Sequence, residues 1–118
     1  MRRLTRRSSR KRHASARERA RTLAEVRLAH YAPIYGVFFG RIFIRDQKTR
    51  WGSCSSKGNL NFNWRIATLP PMLVDYVVVH ELCHLIEFNH SPKFWALVGR
   101  TVPTYKEARK HLRAIPLR

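Results

Sequence analysis

The sequence predicts an α+β domain, on three observations. Apolar residues recur at spacings of three and four early in the chain. A period of two follows, bounded by turn-forming residues. Helical patterns introduced by prolines then occupy the C-terminal half. Helix, strands, then helices is an α+β order rather than an alternating α/β one. The 118 residues suit one domain, since domains commonly hold about 100–150 residues. Hydrophobic residues make up 44% of the chain, too many for a wholly disordered protein.

The N-terminal segment is dominated by charge. The chain carries 24 Lys and Arg against 7 Asp and Glu, a net +17, and residues 1–25 hold 10 of those bases and 2 of the acids. Arg2, Arg3, Arg6, Arg7, Arg10, Lys11 and Arg12 precede any apolar patch. Residues 1–13 are therefore expected as a disordered basic tail, and 14–118 as a single folded domain. Such a tail suits electrostatic contact with nucleic acid, or is simply solvated. No apolar h-region follows the arginines, which argues against secretory and twin-arginine signals, although the Arg- and Ser-rich start resembles an organellar transit peptide. No run of about 18 apolar residues exists, so no transmembrane helix is expected. Two cysteines, Cys54 and Cys83, do not make a disulfide framework and fit a reducing, cytoplasmic setting.

Ala20, Ala24, Leu28, Tyr31 and Tyr35 form one apolar stripe, which predicts a helix over Ala14–Tyr35 that Pro33 and Gly36 end or kink. Gly40–Arg45 reads as a strand, with Ile42 and Ile44 alternating against Phe43. Trp51–Gly58 is rich in turn formers. Asn59–Arg65 alternates, with Leu60, Phe62 and Trp64 on one face and Asn59, Asn61, Asn63 and Arg65 on the other. Pro70-Pro71 suits a helix start, because proline lacks only an N–H that the first turn leaves unbonded. Met72–Phe88 is apolar nearly all round, which predicts a buried helix despite the β-branched Val77-Val78-Val79. Ser91-Pro92 supplies an N-cap and a proline at the first helical position. Phe94, Trp95 and Val98 give that helix its apolar stripe, and Tyr105–Leu112 forms a last helix.

The chemistry lies in His80-Glu81-Leu82-Cys83-His84, a His-Glu-x-x-His motif. Residues four apart on a helix share a face, so two imidazoles reach one ion. Glu81, beside the first, reaches a water on that ion without ligating it. Catalytic zinc usually keeps three protein ligands and one open position. His90 is the third candidate. On an unbroken helix it would lie about 15 Å along the axis from His80, so the helix must end and the chain turn back. Asn89 is expected to make that turn in a left-handed conformation. A metal also explains imidazoles and a carboxylate within an apolar helix, where unpaired polar groups are costly. Three imidazoles accept other transition ions as well as zinc.

Other candidates have plainer readings. Cys54 and Cys83 are expected as buried thiols. Glu87 is either solvated or a carboxylate partner for a ligand imidazole. Tyr105 is a core tyrosine or a group that polarises a substrate carbonyl. His13, His30 and His111 have no evident partners.

Four segments carry a family resemblance. Thr49–Ser55, Leu60–Arg65, Asp75–His84 and Asn89–Trp95 together resemble the YgjP-like metallopeptidases, relatives of the SprT-like zinc metallopeptidases. The resemblance spans roughly residues 41–113. It implies a small zincin-like domain, with a short antiparallel sheet packed on an active-site helix and further C-terminal helices. It implies His80, His84 and His90 as ligands of one zinc and Glu81 as catalytic base. SprT-like relatives are linked to cleavage of proteins crosslinked to DNA. The spacing also resembles the metzincins, which carry glycine where this chain has Glu87.

The expected function is zinc-dependent hydrolysis of a protein or peptide. A metal-activated water attacks, and Glu81 acts as general base. The strand Asn59–Arg65 is expected to offer its edge to an extended peptide. The alternative is a basic nucleic-acid-associated module with a structural or degenerate zinc site.

Overall fold

The structure is a computed structural model that describes the backbone of residues 6–117 and the side chains of residues 15–117. Its elements are α1 (Arg6–Tyr35), β1 (Ile42–Arg45), β2 (Gly52–Cys54), β3 (Leu60–Asn63), a 3-10 helix (Trp64–Thr68), α2 (Pro71–Cys83), α3 (Pro92–Thr101) and α4 (Tyr105–Ala114). This is the α+β class the patterning predicts.

Helix α1 buries Ala16, Ala20, Ala24, Leu28, Tyr31, Ala32 and Tyr35. That face packs against α2 and the 3-10 helix. The helix starts at Arg6 rather than Ala14, so the segment expected as a disordered tail is helical from residue 6, while residues 1–5 lie outside the described residues. The physical reason is local. Arg, Lys and Ala are strong helix formers, and neither Gly nor Pro intervenes before Pro33. Pro33 sits inside the last turn without ending it. Gly36 ends it, with φ of 64°. Its N–H donates to the Pro33 carbonyl and that of Val37 to the Ala32 carbonyl, closing the helix as a Schellman turn.

The sheet is mixed, in the order β1-β3-β2. β3 runs antiparallel to β2 and parallel to β1. The expected antiparallel sheet is corrected in this pairing. A tight turn over Ser55–Gly58, with Gly58 at φ of 83°, makes β2 and β3 a hairpin. β1 then has only the other edge of β3 to join, and the chain enters there in the same direction. The turn-rich segment Trp51–Gly58 is thus a turn only in its second half.

Leu60 and Phe62 are fully buried, as their alternation predicts, but so is Asn63. The alternation ends there because the chain coils into the 3-10 helix at Trp64. The Asn63 Nδ2 donates to the carbonyls of Gln47 (2.6 Å) and Arg50 (3.1 Å). Its Oδ1 accepts the Arg65 N–H. Asn63 therefore pins the loop that leads into β2. β3 is the central strand, so its expected role as a free edge is also corrected.

Helix α2 is buried on most of its circumference and includes Val77, Val78 and Val79. It ends at Cys83, five residues earlier than the apolar pattern suggests. Arg27 clamps it to α1, donating to Asp75 from Nε (2.7 Å) and Nη2 (3.1 Å), while the Tyr31 hydroxyl donates to the same carboxylate at 2.9 Å. Among the described residues, no helix is long and apolar enough to cross a membrane.

Candidate active site

Helix α2 presents His80 and His84 one turn apart, with Glu81 beside the first. After Cys83 the chain leaves the helix through short turns, in which the N–H groups of Ile86 and Glu87 donate to the Cys83 carbonyl. No non-glycine residue among those described has a positive φ, so Asn89 does not make the expected left-handed turn. Ser91 then caps α3, its hydroxyl accepting the Phe94 N–H at 3.3 Å. These two breaks return His90 to the end of α2.

The three imidazoles meet at their Nε2 atoms. His80 and His84 approach to 3.2 Å, His80 and His90 to 3.1 Å, and His84 and His90 to 3.0 Å. Metal–nitrogen bonds of about 2.0–2.1 Å set tetrahedral ligand atoms about 3.3–3.4 Å apart, so the triangle fits a small transition ion. Burial lowers the pKa of His80 to about 3, helped by the charges of His84, His90 and Arg109. Burial also lowers His84 and His90. Neutral imidazoles are the form a metal needs.

The far ring nitrogens hold the rings in place. Tyr76 brings its hydroxyl to 3.2 Å from His80 Nδ1. His84 Nδ1 donates to the Glu87 backbone carbonyl at 3.3 Å. The peptide group of Glu87, not its carboxylate, is therefore the partner. Phe94 lies fully buried under all three rings, stacked on His84 at 4.4 Å and packed against His80 and His90 at 5.0 and 4.9 Å. Tyr76 stands four residues before His80, a spacing that was legible in the sequence. Phe94 had no comparable signal.

Glu81 is buried, and burial raises its carboxyl to about 8, opposed in part by the Arg50 guanidinium. It faces Gly52 on β2. A Cβ on Gly52 would stand 3.0 Å from Glu81 Oε2 and 3.1 Å from both Glu81 Cγ and the Asn61 carbonyl oxygen. A side chain at this position would press on both Glu81 and β3.

Among the remaining candidates, Cys83 is fully buried as expected. Cys54 is half-buried on β2 and borders the hollow beside His84 and His90. Tyr105 stacks on Trp95 at 5.2 Å, away from the imidazoles' hollows, in keeping with a packing role. His30 and His111 are exposed and outside the cluster, and the His13 side chain lies outside the described residues.

Comparison with known proteins agrees with this geometry. A search of curated proteins finds no significant match. The fold is similar to the crystal structure of the metallopeptidase zymogen abylysin of Pyrococcus abyssi, with a TM-score of 0.70, 26% identity, and coverage of 75% of this chain and 90% of that one. It is also similar in fold to the metallopeptidase zymogen jannalysin of Methanocaldococcus jannaschii, with a TM-score of 0.58, 19% identity, and coverage of 81% and 97%. The YgjP-like metallopeptidase domain matches residues 2–115, well beyond the segments that carry the resemblance in the sequence. With that match spanning nearly its whole length, the chain belongs to the YgjP-like family and is a metallopeptidase.

Proposed function

We propose that this protein hydrolyses peptide bonds at a zinc ion held by His80, His84 and His90, with Glu81 as general base. The observation that carries this reading is the meeting of three Nε2 atoms within 3.2 Å of one another beside a buried carboxylate. Zinc bound there supplies a water of lowered pKa and polarises the scissile carbonyl. Glu81 accepts the water's proton and returns it to the leaving amine. A divalent ion held by the imidazoles would place positive charge beside Glu81 and favour the carboxylate form that this role needs. Tyr76 and the Glu87 carbonyl hold the rings still. β2 replaces β3 as the strand that pairs with an extended peptide, since it is an outer strand and Gly52 borders the site.

The test is paired. Protein purified with zinc should carry about one ion per chain, and His84→Ala should carry none. Glu81→Gln should keep its zinc and lose cleavage of a mixed peptide library. Undiminished turnover in Glu81→Gln removes Glu81 from the mechanism.

The +17 charge supports a nucleic-acid contact through residues 1–13 as an addition to this reading. Affinity for DNA should then fall steeply with salt, and deletion of residues 1–13 should flatten that slope.

A further inference from the structure

Two hollows of different charge meet at His80. Arg50, Gly52, His80 and Glu81 border both. The first hollow, about 490 Å³, has Lys48, Arg50, Arg109 and Arg113 around it and Val77 and Leu112 in its lining. Its basic rim continues along α4 past Lys106 and Lys110. The second hollow is bordered by Ser53, Cys54, His84, Phe88 and His90, with Arg50 its one Lys or Arg among the described residues.

The basic hollow carries an excess of positive charge. Among the described residues, Glu81 is the only carboxylate side chain in its lining. Arg50, Arg109 and Arg113 form no ion pair among the described residues. Arg109 is held over the Trp95 ring at 5.0 Å. It borders the same hollow as His80 and Glu81. Like charges crowded beside apolar walls repel, and an anion placed among them relieves that repulsion.

The chain direction assigns the hollows to the two sides of a substrate. Residues 48–51, before β2, border the basic hollow. Ser53 and Cys54, at the end of β2, border the other. Antiparallel pairing is the slightly more stable arrangement. A peptide paired that way sets its N-terminal part beside Cys54 and its C-terminal part beside Arg50. On the peptidase reading above, we infer that the enzyme selects peptides with a carboxylate side chain on the C-terminal side of the scissile bond, received by Arg109 and Arg113. A peptide is favoured over a nucleic acid because these charges border the reacting groups themselves and surround a hollow with an aliphatic lining.

The test uses fluorescein-labelled decapeptides that differ only in carrying Glu-Glu or Gln-Gln. Binding is read by anisotropy on zinc-loaded Glu81→Gln protein, which should hold peptide without cutting it. The Glu peptide should bind about tenfold tighter, as expected of two ion pairs. Adding Arg109→Gln and Arg113→Gln should erase that advantage. Adding Arg17→Gln and Arg19→Gln, an equal charge change on α1, should preserve it. Equal binding of the two peptides, or equal loss in both double variants, overturns the inference. So does oligo(dT) that displaces the Glu peptide at lower concentration than unlabelled peptide does. Cleavage products of the wild-type enzyme, sequenced by mass spectrometry, should place the acid C-terminal to the cut, and an acid found N-terminal to it overturns the assignment. If no peptide is cut while the binding pattern holds, the peptidase reading fails and the acid-binding hollow stands.

Discussion

The Tyr76 hydroxyl lies 3.2 Å from His80 Nδ1, one turn back along α2. This contact leaves His80 Nε2 facing His84 and His90. The phenol is buried, and burial pushes its pKa up to about 12, so it stays protonated at neutral pH. Tyr76 is a positioning residue for the proposed metal centre. Tyr76→Phe should weaken zinc binding by about 10- to 100-fold with the fold intact. Competition with a zinc-binding dye measures this, and unchanged affinity would deny the role.

Gly52 and Glu81 approach so closely that a Cβ at position 52 presses on the Glu81 side chain, which must give by a few tenths of an ångström. Gly52→Val should keep bound zinc but lower kcat about tenfold or more, because Glu81, the proposed base, is pushed from its position. A variant with full kcat would show that Glu81 tolerates the movement.

Asp75 joins α1 to α2 through Arg27 and Tyr31. The pair is only partly exposed, and the carboxylate accepts three hydrogen bonds, so it should contribute more than a surface ion pair does. Asp75→Asn keeps the shape and removes the charge. It should lower stability by about 1–3 kcal/mol in urea unfolding.

Tyr35 donates its hydroxyl to the Leu97 carbonyl at 2.6 Å and lies 2.8 Å from the Thr101 hydroxyl. Burial raises its pKa to about 12, opposed by the Thr101 hydrogen bond, while Cys83 raises it further and Arg100 lowers it. An unfolded tyrosine titrates near about 10. The folded protein therefore keeps this proton longer than the unfolded chain. Stability from Tyr35 is complete below about pH 10 and is lost as pH rises toward about 12. Tyr35→Phe should be less stable at pH 8, by about 1 kcal/mol, and should lose less stability than wild type between pH 10 and 11.5. Parallel pH profiles of urea midpoints would contradict this.

Zinc should stabilise the protein through His80, His84 and His90, since their meeting depends on the fold. At about 100 times its dissociation constant it should add about 2.7 kcal/mol to unfolding. His84→Ala should show no such gain, and an equal gain in that variant would place the zinc elsewhere.

Much of this was legible in one dimension. The stripe from Ala20 to Tyr35, the alternation of Leu60 and Phe62, and the Ser91-Pro92 cap are local patterns, and local backbone geometry turns each directly into structure. The spacing of His80, Glu81 and His84 belongs to the same class, because a helix converts four residues into one face. His90 was legible as a candidate, since its distance in sequence demanded a break in the helix.

What no local pattern decided was where separate segments meet. The parallel pairing of β1, the central place of β3 and the burial of Asn63 follow from how the β2–β3 hairpin is covered. Phe94 under the imidazoles and Gly52 against Glu81 depend on packing between elements far apart in sequence. The Arg109 and Arg113 side chains join Arg50 in one hollow only because α4 folds back beside α2. The sequence by itself determined the α+β class, the existence of the helices and the placing of His80 and His84 one helical turn apart. Only the tertiary structure decided the third dimension of the site, because burial and charge are sums over neighbours that chain order does not specify.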